Sequence, residues 1–464
     1  MMFGMRKPTV TIYTLGCRLN QVESEAISEK FAEAGFDVTQ READLHIVNS
    51  CTVTGKAEQK MRRVVRDFSK HGVCIVTGCA VKGEKASELE RISPNVIAVD
   101  IERKHLILDF AAYMSELLLG GKRIFTPQVA FDFFKSESGC ACAETGLSHR
   151  FDFSPSKFHD HHKAYLKVQD GCDRHCAFCA VSLSRGKPTS LESEEAIRRF
   201  CILQDKGYKE ICLTGVNLAL YDNCGGGLAG LLAKLECVAK PDVKVRLTSL
   251  EPDLIDKRLI EMLSLPFICD YFHLPIQSAS AKVLALTGRK YDSSVLESII
   301  AGLREAKGNP FISADIMAGL PGEDDMEAET TFDFLKKERL SYLHVFPFSK
   351  REGTPAFFMK APEQRVRDER AQRLRELSSE LLYDYSLSFA GKSVSAIIEK
   401  KEASCFTATS DNYLKINVLS DDSLDLGQRC RIIIEKVIRD NQRGAAIFGS
   451  VENAPRISGS KSAF

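Results

Sequence analysis

No charge of either sign is in excess: lysine plus arginine and aspartate plus glutamate each number 63 in 464 residues. That balance excludes nucleic-acid affinity generated by the field of the whole molecule and leaves any such binding to local patches. A long uninterrupted apolar run is also missing. The best candidate, residues 106–119, is broken by Asp109 and Glu116, and residues 1–8 lack an apolar core with a cleavage signature. Neither a membrane span nor a secretory signal is expected. Sixteen cysteines in such a chain belong in a reducing compartment, the cytoplasm, where clustered thiols serve metals or catalysis rather than disulfides.

Most telling is the absence of a fourth ligand. Cys172, Cys176 and Cys179 form a compact set in Asp170-Gly-Cys-Asp-Arg-His-Cys-Ala-Phe-Cys179, and Cys17, Cys51 and Cys79 form a dispersed one. A structural zinc site closes with four ligands, whereas a 4Fe-4S cluster held by three thiolates leaves one iron open. Cys140, Cys142 and the remaining cysteines are read as ordinary thiols.

At 44% hydrophobic content the chain can fill two or three domains. Residues 9–14, 45–48 and 73–76 read as buried strands separated by helical stretches at 23–34 and 56–70, a βαβαβ pattern that implies a parallel sheet. Each strand runs into one cysteine of the dispersed set, at intervals of 34 and 28 residues, about one βα unit each. All three thiols are therefore expected at the carboxyl edge of the sheet, where α/β folds place ligands. One such cysteine alone reads better as packing; three at consecutive strand ends favour a site.

Residues 1–124 form this first expected domain. Residues 125–157, without periodicity, are expected as a linker leading to His159-Asp-His-His162, read as solvated rather than metal-binding. Residues 158–388 repeat the βα alternation with strands at 164–169, 210–214, 243–248, 270–274, 311–317 and 342–346, suggesting an open, partial (βα)6 barrel whose loops collect the chemistry on one face. Residues 389–456 alternate in β fashion over 393–398, 413–418 and 430–437, as a small β-barrel would. The whole is an α/β protein.

The compact set lies in the loop after a strand, spaced for three corners of a 4Fe-4S cube whose open iron can chelate S-adenosylmethionine. His175 is a poor fourth zinc ligand because it adjoins Cys176. Phe178 either packs near adenine or closes the loop against the barrel. Thr214, Gly215 and Asn217 in one strand-end word, and Gly319 and Gly322 in another, allow close backbone approach to a ligand, although such glycines are also common for steric reasons. Glu251 and Gln277 are polar groups suited to ribose or amino-acid functions, or ordinary loop residues.

The compact motif resembles the radical S-adenosylmethionine superfamily. With the dispersed set before it and the small barrel after it, nearly the whole chain is similar to radical S-adenosylmethionine methylthiotransferases. The resemblance implies a second 4Fe-4S cluster on Cys17, Cys51 and Cys79, two S-adenosylmethionine molecules consumed per methylthiolation, a TRAM-like carboxyl-terminal barrel associated with RNA, and an electron donor such as a flavodoxin or ferredoxin. It implies no catalytic side chain beyond the cluster ligands. Thr14-Leu-Gly-Cys-Arg-Leu-Asn-Gln21 and Leu343-His-Val-Phe-Pro-Phe-Ser-Lys-Arg-Glu-Gly-Thr-Pro355 are most similar to the branch that modifies N6-threonylcarbamoyladenosine at position 37 of tRNA. The alternatives are isopentenyladenosine in tRNA, a ribosomal-protein aspartate, or a non-enzymatic metal-containing RNA-binding protein. Ala180-Val-Ser-Leu-Ser-Arg185 and Gln277-Ser-Ala-Ser280 depart from the family pattern. Asn20 and Asn49 are candidate polar neighbours of the dispersed cysteines, and the basic helices at 56–70 and after Glu363 are candidate phosphate contacts.

Overall fold

The computed structural model describes residues 6–40, 42–52, 55–119, 125–139, 148–158, 162–223, 225–402, 405–419 and 424–452. Cys140, Cys142 and His159, Asp160 and His161 lie outside these residues. Among the described residues no helix is long and apolar enough to cross a membrane.

The first unit runs β1 (Thr9–Thr14), α1 (Arg18–Glu33), β2 (Asp37–Val38), β3 (Leu45–Ser50), α2 (Gly55–Phe68), β4 (Val73–Gly78), α3 (Glu84–Glu90), β5 (Val96–Ala98) and α4 (Leu106–Leu119). Its sheet is parallel throughout, in the order β2-β1-β3-β4-β5. Strands β3 and β4 are buried along their whole length because helices cover both faces. Leu45, Ile47, Val73 and Ile75 enter one core layer with Phe31 and Phe110, while Val48, Cys74 and Val76 enter the other with Met61 and Val65. This is the alternation a pleated strand imposes.

The expected linker is corrected in part. Helix α5 (Pro127–Gly139) packs on the first unit, with Ala130 and Phe134 buried beside Phe110 and with Phe125 and Phe153 in the same core. Pro127 starts the helix, and Ala130 and Phe134 stand one turn apart on a single face, a spacing too brief to register as periodicity.

The barrel contains β6 (Ala164–Lys167), β7 (Gln169–Asp170), α6 (Val181–Arg185), β8 (Thr189–Ser190), α7 (Ser193–Asp205), β9 (Glu210–Thr214), α8 (Gly227–Val238), β10 (Lys244–Leu247), α9 (Lys257–Leu263), β11 (Tyr271–Gln277), α10 (Ala281–Leu286), α11 (Ser293–Lys307), β12 (Phe311–Ala318), α12 (Asp325–Glu338), β13 (Tyr342–Pro347) and α13 (Gln364–Leu387). Parallel ladders β6-β9-β10 and β11-β12-β13 are joined by the bridges Val245–Ile268 and Ser249–His273. Together they make the six-stranded open barrel expected from the sequence. The short pair β7-β8 is antiparallel and frames the compact cysteine loop.

The last unit closes as a five-stranded barrel, β14 (Ser393–Glu402), β15 (Cys405–Ser410), β16 (Lys415–Val418), β17 (Arg429–Asp440) and β18 (Gly444–Val451), in the order β14-β15-β16-β18-β17. Strands β15 and β18 are additions to the sequence reading. The unit sits against the amino-terminal ends of the barrel strands: Tyr271 and Phe311, the first residues of β11 and β12, share its core with Tyr385. Arg246 of β10 donates to the carbonyl oxygens of Ser410 at 3.1 Å and Asp411 at 3.2 Å.

Candidate functional site

Cys17, Cys51 and Cys79 follow β1, β3 and β4, which are neighbours in the sheet, so the three thiols gather at its carboxyl edge. Two glycines make the convergence possible. Gly16 has φ +100° and Gly78 φ +99°; a Cβ on the first would come within 2.6 Å of Cys51 Sγ, and on the second within 2.4 Å of Ser50 O. Cys17 is the N-cap residue of α1, so the first turn of that helix fixes the direction in which its chain leaves the sheet edge. Asn20 braces the same loops, donating to Leu15 O at 2.7 Å and Ser50 O at 2.8 Å, and Asn49 donates to Asn20 O at 2.9 Å. Both asparagines thus knit the turns that carry the cysteines.

Behind Cys79 lies a buried charge network that the sequence reading missed. Arg185, in the segment noted only as a departure from the family pattern, donates from Nε to Cys79 Sγ at 3.3 Å and from Nη2 to Asn20 Oδ1 at 2.9 Å. Its Nη1 lies 3.0 Å from both Glu23 Oε1 and Asp170 Oδ2. Lys167 contacts the same two carboxylates at 3.0 and 2.6 Å, and Lys104 contacts Glu23. Burial alone would raise the Glu23 pKa, but Arg185, Lys104 and Lys167 hold it well below the usual carboxylate range. Three cations against two carboxylates leave positive charge beside Cys79. Burial pushes this thiol up, and Arg185 opposes the shift.

The compact set sits in the loop after β7. Gly171, at φ +73°, starts it where a Cβ would strike Lys187 O. The Arg174 N–H donates to Cys172 Sγ at 3.4 Å, and Arg289 donates from Nη1 to Cys176 Sγ at 3.2 Å. Burial pushes the Cys172 thiol up to about 11 and raises Cys179, opposed there by the N–H groups of Val181 and Ser182. His175 is exposed. Phe178 packs against Ala177, Val283, Leu320 and Phe348, closing the loop on the barrel.

The other candidate residues surround this loop. Gln169 ties it to the turn after β9: its Nε2 donates to Asp170 O at 3.0 Å and Gly171 O at 2.7 Å, and its Oε1 accepts from Asn217 N at 3.0 Å. Gly215 gives Gln169 that room, since a Cβ there would stand 2.8 Å from Oε1. Asn217 Oδ1 is buried without a partner among the described residues. Glu251 pairs with Arg289 at 2.5 Å; burial raises its pKa and Arg289 opposes the rise. Gln277 sits at a register break in β11 with φ +67°, a conformation that a non-glycine residue holds only when its surroundings impose it. The donor set fits a 4Fe-4S cluster: three thiols, two of them receiving N–H donors from Arg174 and Arg289. The unpartnered Asn217 carbonyl beside it fits a polar cofactor.

A cavity of about 770 Å³ joins the units, within the range of cofactor sites. Cys17, Cys51 and Cys79 line it together with Thr214, Gly215 and Val216, while Asn217, Glu251 and Gln277 do not. It continues through the barrel interior past His273, Asp315 and His344 to Tyr271 and Tyr413. His273 Nε2 lies 3.1 Å from Asp315 Oδ2, and its Nδ1 pairs with Ser313 Oγ at 2.9 Å. Burial, then His273, lower the pKa of His344. Of the basic helices, α13 is largely engaged within the chain: Arg370 pairs with Glu323 at 2.9 Å and Arg373 with Glu329.

The Radical SAM superfamily matches residues 166–335, and the Uncharacterized protein family UPF0004 matches residues 9–99. The chain is 32% identical to Threonylcarbamoyladenosine tRNA methylthiotransferase MtaB of Treponema pallidum, over 89% of this chain and 94% of the relative. It is equally 32% identical to the protein of the same name from Bacillus subtilis, over 88% and 90%. It is 29% identical to tRNA-2-methylthio-N(6)-dimethylallyladenosine synthase of Neorickettsia sennetsu, over 89% and 87%. In fold it is similar to the radical S-adenosylmethionine methyltransferase TsrM from Kitasatospora setae, with a TM-score of 0.50 and 12% identity over 76% of this chain and 77% of that one. With both of its cysteine-bearing units matched and relatives alike over nearly their full length, the chain belongs to the radical S-adenosylmethionine methylthiotransferase family.

Proposed function

We propose that this chain converts N6-threonylcarbamoyladenosine in tRNA to its 2-methylthio derivative. The observation that carries the reading is the single cavity bounded on one side by Cys17, Cys51 and Cys79 and on the other by the Thr214–Val216 turn that Gln169 ties to the compact cysteine loop. In this reading Cys172, Cys176 and Cys179 hold one 4Fe-4S cluster and Cys17, Cys51 and Cys79 the other. Bound S-adenosylmethionine and the clusters supply the radical chemistry and the methylthio group.

The chain's own residues bind, orient and exclude water. Thr214 and Gly215 border the cavity, and Asn217, Glu251 and Gln277 stand behind it around the compact loop as the proposed cofactor contacts, with Glu251 steering Arg289 onto Cys176 Sγ and Asn217 Oδ1 free to accept from the cofactor. Phe178 packs the loop rather than adenine, supported by its place among Val283, Leu320 and Phe348. A first unit that runs past residue 124 to take in α5 and Phe153, a barrel at 158–388 and a TRAM-like RNA-contacting barrel at 389–456, with a cytoplasmic location and a flavodoxin- or ferredoxin-type electron donor, complete the reading.

The test is mass spectrometry of tRNA nucleosides from cells lacking this chain. The 2-methylthio-threonylcarbamoyl nucleoside is expected to vanish; its persistence, with loss of the 2-methylthio-isopentenyl nucleoside instead, would assign the other tRNA substrate.

A further inference from the structure

Arg18 is the first residue of α1 and the peptide neighbour of Cys17, and it lines the same cavity. Its Nη1 donates to Tyr165 OH at 2.7 Å and its Nη2 to Tyr413 OH at 2.9 Å, with the guanidinium 5.4 Å from the Tyr165 ring centroid. These partners are neutral phenols, and no carboxylate among the described residues pairs with it.

The other guanidiniums around the cavity and the cysteine loops differ. Arg185 has Glu23 and Asp170, Arg246 has Glu210, and Arg289 has Glu251. Lys163 is held between Glu210 and Glu399 at 3.1 and 2.9 Å. Arg18 alone of these guanidiniums faces the cavity without a carboxylate partner among the described residues; Lys400 also lines it without one but is exposed to water. Such a charge is costly to withdraw from water unless an anion arrives, and a guanidinium's planar fork matches a carboxylate best.

Resting on the substrate proposed above, we infer that Arg18 is a specificity-determining residue that receives the free carboxylate of the threonylcarbamoyl group. That group is a urea joining the amino nitrogen of threonine to N6 of adenine, so the threonine carboxylate stays ionised and exposed at its far end. An isopentenyl group carries no charge and gives Arg18 nothing to bind. Tyr165 and Tyr413 hold the guanidinium in place and leave its remaining N–H groups for the carboxylate. Anchoring there keeps the modified base at the three amino-terminal cysteines.

The test compares the cluster-loaded enzyme on three anticodon stem–loop RNAs: one bearing threonylcarbamoyladenosine, one with its threonine carboxylate converted to a carboxamide, and one with unmodified adenosine. Wild-type enzyme is expected to bind the acid about tenfold to a hundredfold more tightly than the carboxamide, the span of a charge-assisted hydrogen bond. Arg18→Gln is expected to equalise the two, and Arg18→Lys to restore part of the preference. Equal wild-type affinity for acid and carboxamide, with methylthiolation of both, overturns the role of Arg18 and leaves the substrate standing. No methylthiolation of the acid RNA overturns the substrate and Arg18 together. The wild-type comparison decides even where an Arg18 variant fails to load iron.

Discussion

Arg185 donates from Nε to the sulfur of Cys79 at 3.3 Å, reaching from the barrel into the first parallel-sheet unit. The same guanidinium holds Asp170, two residues before Cys172. One side chain therefore touches a cysteine of one set and the strand that launches the other.

Arg185→Met is expected to destabilise the protein by about 3 kcal/mol, because Glu23 and Asp170 stay buried with less positive charge around them. It is also expected to make the reduction potential of the cluster on Cys17, Cys51 and Cys79 more negative, since a cationic donor to a ligating thiolate favours the reduced form. Denaturant titration and a redox titration followed by electron paramagnetic resonance read the two effects separately. An unchanged potential would mean that the guanidinium is only a structural strut.

Replacing Cys17, Cys51 and Cys79 together by alanine is expected to leave about four irons per chain in place of about eight. Reductive cleavage of S-adenosylmethionine should continue and methylthiolation should stop. Surviving methylthiolation would remove the first unit from the chemistry.

Gly215→Ala places a methyl group 2.8 Å from Gln169 Oε1 and 2.9 Å from its Cβ, forcing aside the side chain that ties the compact loop to Asn217. S-adenosylmethionine affinity is expected to fall about tenfold or more, the scale of a lost hydrogen-bond network. Iron content should fall little. Equilibrium dialysis with labelled cofactor measures the first and colorimetric iron analysis the second.

Glu399 of β14 connects the last barrel to Lys163 at the entry to β6. Burial would raise its pKa, yet Lys163 and then Lys415 hold it down at about 2. A depressed folded value means stability that is fully present above the unfolded pKa near 4.5 and is lost as pH falls toward 2. That loss is about 3 kcal/mol. Urea unfolding of the wild type and of Glu399→Gln between pH 6 and about 2.5 should converge at the acid end; parallel curves would discount the ion pair.

Much of this architecture is legible in the sequence because parallel strands buried on both faces, such as Leu45–Ser50 and Val73–Gly78, stand out as short apolar runs. Cysteines placed directly after them mark the sheet edge. Cys405–Ser410 and Gly444–Val451 were less visible, built largely of Ala, Gly, Ser and Thr, whose barrel packing carries little hydrophobic signal. Arg185 was opaque for another reason: its partners Cys79 and Glu23 lie 106 and 162 positions away, and no local pattern reports a salt bridge between units. Arg18 is visible only as a letter in a family word; that no carboxylate among the described residues pairs with it is a property of the fold.

Tyr413, held at φ +66° in the turn before β16, packs its ring tilted against that of Tyr271 with centroids 4.4 Å apart, and accepts from Arg18 at the barrel end of the cavity. The last unit thus closes one end of the cavity, and on the proposed reading it is the stopper of the reaction vessel. A chain ending before Ser393 would leave the vessel open beneath, and water or a stray hydrogen donor could quench what is generated above. Such a truncation should consume cofactor without making product, an uncoupled enzyme rather than one that merely binds RNA poorly.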